Sequence, residues 1–296
     1  MKFLRLAAAA AAVLTPALPA MAAPLPDADP AMWVVKDKDT TVYLFGTFHV
    51  LDGKADWFND EVKQAFDRSD EVVMEAIIPE DPSSLAPMMA KYALASSGKP
   101  LTEQLSPEAR AKLAKILGAS GIPAAVLDKM KPGFAGMTVA LIPYQMAGMT
   151  AEHGTEATLS KAAKQASKPI GELEGIENQM KMLEKIPESA HLRSLEEILA
   201  KFEELPAVIT GMKTNWNAGN AEGFATLMNE MQAASPEMFK VMLTDRNSNW
   251  AEWIDERLDK PGTVFVAVGT AHLAGTDSVQ KFLAKRGIEA KRVPAS

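Results

Sequence analysis

Thr40–Thr41–Val42–Tyr43–Leu44–Phe45–Gly46–Thr47–Phe48–His49 is an apolar, β-forming run that stops at Gly-Thr-x-His. A second run, Thr263–Val264–Phe265–Val266–Ala267–Val268–Gly269–Thr270–Ala271–His272, stops the same way near the other end. Aligning Gly46 with Gly269 places Thr40, Thr47 and His49 on Thr263, Thr270 and His272. The chain has only four histidines, so this repeat claims half of its imidazoles. Runs rich in β-branched and aromatic residues predict buried, parallel strands. Glycine at a strand end permits a tight turn or a close backbone approach, and threonine can cap the segment that follows. Each histidine then projects at the carboxyl edge of the sheet, where ligands bind in open α/β folds.

The surroundings repeat as well. A helical pattern from about Phe58 to Arg68 and a strand Glu71–Glu75 follow the first motif. A helical pattern from about Asp277 to Lys285 and a strand over Ile288–Val293 follow the second. Each block reads as strand–turn–helix–strand. The expected fold is therefore α/β: a mixed central sheet built from two related strand–helix–strand halves, with a long, mainly helical insertion. Met32–Val35 and Thr41–Phe45 pair as a hairpin around Asp37–Lys38–Asp39.

The insertion runs from about residue 79 to residue 260, broken by a strand near 168–174. Ser106–Pro107–Glu108 opens a helix with a serine cap and a proline at its first position. The apolar stretch Phe134–Met149 reads as a buried central helix. Its Met137, Met146 and Met149 allow a second reading, a pliable groove for apolar substrate. Trp250 and Trp253 share one face of the last helix of the insertion and pack on the core.

Composition removes whole classes of function. A formal charge of −7 argues against nucleic acid as a partner. The absence of cysteine excludes disulfides, thiolate ligands and cysteine nucleophiles. Residues 1–22 read as a signal peptide: Lys2 and Arg5, then the apolar Leu6–Leu14, then Ala20–Met21–Ala22. That run is too short for a spanning helix, and no lipobox cysteine is present. The expectation is a periplasmic or secreted protein, not embedded in a membrane, whose residues 23–296 form a single domain.

Neutral imidazole is a common ligand for first-row metals, and two histidines need a carboxylate to complete a site. Glu75, closing the strand after the first motif, is the first candidate. Glu174, ending the run from Lys168, is the second, with Glu172 and Glu177 competing nearby. Such a set can polarise a carbonyl and activate water, and a further glutamate can act as general base. Arg246 and Asn247 can grip a substrate carboxylate or orient a ligand; a surface ion pair is the plainer reading of Arg246. His153 and His191 lie in polar helical surroundings and read as surface residues.

These residues resemble the TraB/GumN (TraB/PrgY/GumN) family, to which the Tiki metalloproteases are similar. The paired Gly-Thr-x-His motifs, Glu75, the segment Leu173–Glu174–Gly175–Ile176–Glu177–Asn178–Gln179 and the segment Arg246–Asn247–Ser248–Asn249–Trp250 carry the resemblance. Gly175 departs from it, standing where threonine is common. The resemblance covers about Trp33 to Val293. It implies a divalent-metal-dependent hydrolase acting on a peptide or protein substrate, with manganese or cobalt as the metal; the residues themselves do not distinguish these from zinc or iron. His49, His272 and Glu75 would bind the metal, Glu75, Glu174 and Arg246 would serve catalysis, and Arg246 and Asn247 would hold substrate. The alternative is a non-catalytic periplasmic protein that binds metal, haem or peptide.

Overall fold

The computed structural model describes residues 24–79, 81–95 and 98–295. The expected signal peptide, 1–22, lies outside them. Six strands form one mixed sheet: β1 (Met32–Lys36), β2 (Thr40–Thr47), β3 (Glu71–Met74), β4 (Ile170–Glu172), β5 (Gly262–Gly269) and β6 (Lys291–Arg292). Their order across the sheet is β4-β3-β5-β2-β1-β6. The strands β4, β3, β5 and β2 are mutually parallel. The hairpin strand β1 runs antiparallel between β2 and β6.

The two halves interleave. From β2 the chain passes through α1 (Asp60–Arg68) to β3, stepping over β5. From β5 it passes through a second short helix (Val279–Lys285) to β6, stepping over β2 and β1 in the opposite direction. Right-handed crossovers that travel in opposite directions must lie on opposite faces of a sheet. The packing obeys this. Val62, Ala65 and Phe66 of α1 join Tyr43, Phe45, Phe265 and Met74 on one face. Val279 and Leu283 join Val42, Leu44, Val264, Val266 and Val268 on the other.

The register shows the same relation. Thr47 lies beside Gly269, not beside its motif partner Thr270. A one-residue stagger turns every equivalent side chain to the opposite face. Phe45 therefore packs with α1, while its counterpart Val268 packs on the far side. The halves are related by a pseudo-twofold axis along the strands, between β2 and β5. The position that would match β3 is filled by β1. The strand expected over Ile288–Val293 is accordingly displaced to the edge and shortened to two residues.

The motif glycine of β2 is explained by close approach. A Cβ at Gly46 would lie 2.9 Å from Thr270 Oγ1. Thr270 does not cap the turn after β5; its hydroxyl donates to the Thr47 carbonyl at 2.9 Å. The two motifs thus touch each other directly.

The insertion forms further apolar clusters of its own. It includes α2 (Pro107–Ser120), α3 (Pro132–Met146), α4 (Thr155–Gln165), α5 (Ile176–Leu183), α6 (Glu188–Ala200) and α7 (Leu205–Asn217), and it returns to the sheet through α8 (Ala221–Ala234) and α9 (Asp245–Leu258). Ser106 caps α2, accepting the Ala109 N–H. The apolar stretch is buried along one side only. The helix α3 buries Phe134, Ala135, Val139 and Ile142 but leaves Met137, Leu141 and Met146 exposed, while Met149 is buried. His191 is also corrected, being 8% exposed. It lies on the inner face of α6, with Nε2 2.9 Å from the Leu183 carbonyl and its ring against Gly133. Its polar sequence neighbours occupy the outer face of the same helix and hid this. His153 is exposed, as expected.

Adding a methyl group where no space exists costs about 1–3 kcal/mol. Gly46→Ala is expected to lower unfolding free energy by about that amount in denaturant titration. Thr270→Ala, which removes the clashing hydroxyl, should recover part of the loss in a double-mutant cycle.

Candidate functional site

The four parallel strands each deliver one candidate residue to the same sheet edge. In spatial order, Glu174 follows β4, Glu75 follows β3, His272 follows β5 and His49 follows β2. Adjacent strands are about 4.8 Å apart, so neighbouring residues in this row are within reach of one polar group.

That group is Arg246, in the first turn of α9. A π-helical segment, Lys240–Thr244, leads into it, and such segments mark functional sites disproportionately. Arg246 is 6% exposed, not a surface residue. Its Nε donates to Glu174 at 2.9 Å, and its Nη2 donates to Glu174 Oε1 and Glu75 Oε2, both at 2.5 Å. Its Nη1 donates to the Met242 carbonyl at 3.0 Å and to His272 Nε2 at 3.1 Å. All five guanidinium hydrogens are thereby used. The Trp250 ring lies under the guanidinium at 4.7 Å and meets the His272 ring at a tilt of 45° and 4.4 Å, closing the apolar side of the cluster.

Glu75 is held by three groups. Its Oε1 accepts the Gly269 N–H at 2.7 Å, and its Oε2 accepts Arg246 and, at 3.2 Å, the Gln179 amide. Gln179 also donates to Glu174 at 3.0 Å. Burial alone would raise the Glu75 pKa. The charge of His272, where it is protonated, with those of Arg246 and His49 and the Gly269 N–H, overcomes it and brings it down to about 2. Burial, aided by the positive charges of Arg246 and His49 against the opposing Glu75, lowers His272 to about 3. His272 is therefore neutral at ordinary pH, and Arg246, with the backbone N–H, keeps Glu75 ionised.

The histidines are each pinned through Nδ1. His272 Nδ1 donates to Asn247 Oδ1 at 2.5 Å, and Asn247 Nδ2 donates to the Asp277 carbonyl at 2.7 Å. His49 Nδ1 donates to Glu156 Oε1 at 2.6 Å. The Glu156 charge pushes His49 up to about 9. The His49 side chain is 66% exposed, so solvent screens part of that attraction. With both Nδ1 atoms occupied, Nε2 is the remaining ring nitrogen of each residue.

These groups converge on Gly269. A Cβ built there would lie 3.3 Å from Glu75 Oε1, 3.4 Å from His49 Nε2 and 3.6 Å from His272 Cδ2. His272 Nε2 is 3.7 Å from Glu75 Oε1. Two imidazole nitrogens and a carboxylate suit a divalent ion by donor type. Their Nδ1 bonds to Glu156 and Asn247 are the outer contacts that metal-binding histidines use. Among the described residues, no three His, Asp or Glu side chains already form a metal-holding group. The His272 Nε2 lone pair is taken up by Arg246.

The structure thus brings His49, Glu75, Glu174, Arg246, Asn247 and His272 into one cluster. Arg246 has no donor left for substrate, and Asn247 is 1% exposed. In this arrangement both position other residues. Glu172 and Glu177 are elsewhere, bonded to the Ile77 N–H and to Tyr92 and Lys91. The sequence reading missed Glu156 as a site residue and gave Gln179 no role. Two cavities of about 350 Å3 open around Pro132 and Glu188 in the insertion, away from the cluster.

The comparisons agree with the motif pattern. Residues 31–292 match the TraB/PrgY/gumN family. The chain is 27% identical over 255 residues to the uncharacterized protein YbaP of Escherichia coli (strain K12), covering 86% of this chain and 92% of that one. It is similar at the same level to the uncharacterized protein YbaP of Shigella flexneri. No solved structure matches.

Removing one partner of a buried ion pair costs about 3–5 kcal/mol. Arg246→Ala is expected to lose about that much in chemical denaturation, because Glu75 and Glu174 are left facing each other. Unfolded histidine takes up a proton below its ordinary 6.5, whereas buried His272 resists protonation down to about 3. Stability contributed by neutral His272 is therefore full above pH 6.5 and falls as the pH drops towards 3. Glu75 adds a loss between its ordinary 4.5 and about 2. Thermal unfolding of His272→Gln should show a flatter pH dependence between 6.5 and 4.5 than the wild type; an unchanged slope would refute a neutral, buried His272.

Proposed function

The chain belongs to the TraB/PrgY/gumN family, and on that premise we propose that it is an exported divalent-metal-dependent hydrolase acting on peptide bonds. The observation that carries this reading is the convergence of His49, His272 and Glu75 on Gly269, with each histidine tethered through Nδ1. Charge supports it. Glu75, Glu174 and Glu156 bring three formal negative charges, and Arg246 brings one positive. Once His49 is deprotonated, the cluster is two charges negative, which one divalent cation balances.

His49 and His272 would hold the ion through Nε2, and Glu75 would complete the set or act as base. A bound ion supplies carbonyl polarisation and a lowered pKa for water. The chain's own residues do the rest. Arg246, with Glu174 and Gln179, fixes the Glu75 carboxylate and keeps it ionised. Asn247 sets the His272 tautomer, so that Nε2 carries the lone pair. Arg246 Nη1 must leave that lone pair when an ion is held. Trp250 excludes water from the buried side, so substrate approaches from the exposed His49 side. Residues 1–22 support export, and among the described residues no helix is long and apolar enough to cross a membrane.

The test is elemental analysis after equilibration with manganese, cobalt, zinc or iron, followed by a peptide-library digest. Near-stoichiometric metal, lost together with peptide cleavage in the His49→Ala/His272→Ala protein, is the expected result. Metal without turnover would favour a binding protein. Cleavage that survives both substitutions and chelation would overturn the proposal.

A further inference from the structure

The two histidines are tethered differently. His272 is buried and held by the amide of Asn247 in the sheet-packing helix α9. His49 is two-thirds exposed, and among the described residues Glu156 is the one side chain bonded to its ring. An exposed ring with no such tether would sample several rotamers.

Glu156 stands in the first turn of α4, whose start is itself gripped to the first motif. The Phe48 N–H donates to Thr155 Oγ1 at 3.0 Å, and the Thr155 N–H donates to the Phe48 carbonyl at 3.2 Å. Thr155 is fully buried. Gly154 lies so close to the His49 carbonyl oxygen that a Cβ would be 2.1 Å from it. Three successive residues, Gly154–Thr155–Glu156, therefore hold the backbone and the ring of Phe48–His49. The amino end of a helix also favours a carboxylate there.

We propose that Glu156 is the positioning residue for His49: it binds Nδ1, fixes the ring, and presents Nε2 to the centre formed with Glu75 and His272. Glu156 acts through His49, since its bond is to the nitrogen other than the one facing the centre. The consequence for metal binding rests on the hydrolase reading; the orientation of the ring does not.

Two measurements on the whole protein separate these levels. The first is proton–nitrogen NMR of the histidine side chains without metal, in the wild type, Glu156→Ala and Glu156→Gln. The hydrogen-bonded Nδ1–H signal of His49 is expected in the wild type, lost in Glu156→Ala and retained at a shifted position in Glu156→Gln, which keeps an acceptor. The second is titration with cobalt alone. Losing an outer contact to a ligating histidine weakens metal binding about 10- to 100-fold, so Glu156→Ala should fall in that range and Glu156→Gln should recover most of the loss. If Glu156→Ala does not fold, Glu156→Ser replaces it, with a residue suited to a first turn but too short to reach the ring. An unchanged His49 signal in the alanine or serine variant overturns the proposal, as does unchanged cobalt affinity where the wild type binds. If the wild type binds no cobalt while the NMR change appears, the positioning role stands and the metal reading has failed.

Discussion

The buried guanidinium of Arg246 is the interaction on which the cluster depends. The strands β3 and β4 end side by side, each followed by a glutamate. Two carboxylates at that spacing, away from water, would repel and would favour protonation. Arg246 answers both with one planar fork, and its remaining donors reach a backbone carbonyl and His272. A lysine has three donors and no plane, and could not make this set. The same guanidinium thus ties together the carboxylates that end two strands and the imidazole that follows a third.

The sheet topology explains why residues so distant in the chain meet. Because β5 inserts between β2 and β3, the two motif strands are neighbours and Glu75 lies next to the second motif. The opposed crossovers then clothe both faces of the sheet with helices, leaving the carboxyl edge for the site. The insertion returns to that edge twice, with α4 behind His49 and α9 behind His272. One histidine is thus buried, and the other is tethered at the solvent boundary.

Much of this was legible in the chain. The repeat located β2, β5 and the two histidines, because buried parallel strands require continuous apolar runs. The glutamates were legible as strand-end residues. Other features were not. Arg246 in an amphipathic helix reads the same whether it meets water or two buried carboxylates. Glu156 was passed over because an acid in the first turn of a helix already has a local explanation. His191 was misread because its sequence neighbours and its spatial neighbours differ. The pairing of β6 was missed because nothing in Ile288–Val293 records that the hairpin strand β1 occupies the place beside β2.

By itself, the sequence determined which segments are strands, that two of them carry equivalent chemistry, and that cysteine chemistry is absent. These follow from local composition and periodicity, which act over a few residues. Only the tertiary structure decided the strand order, the one-residue stagger that turns the halves to opposite faces, and the partners of each polar side chain. Those depend on which surfaces become adjacent once water is expelled. The bonds from Glu156 to His49, Arg246 to Glu75 and Asn247 to His272 join residues far apart in the chain, and no local pattern encodes such contacts.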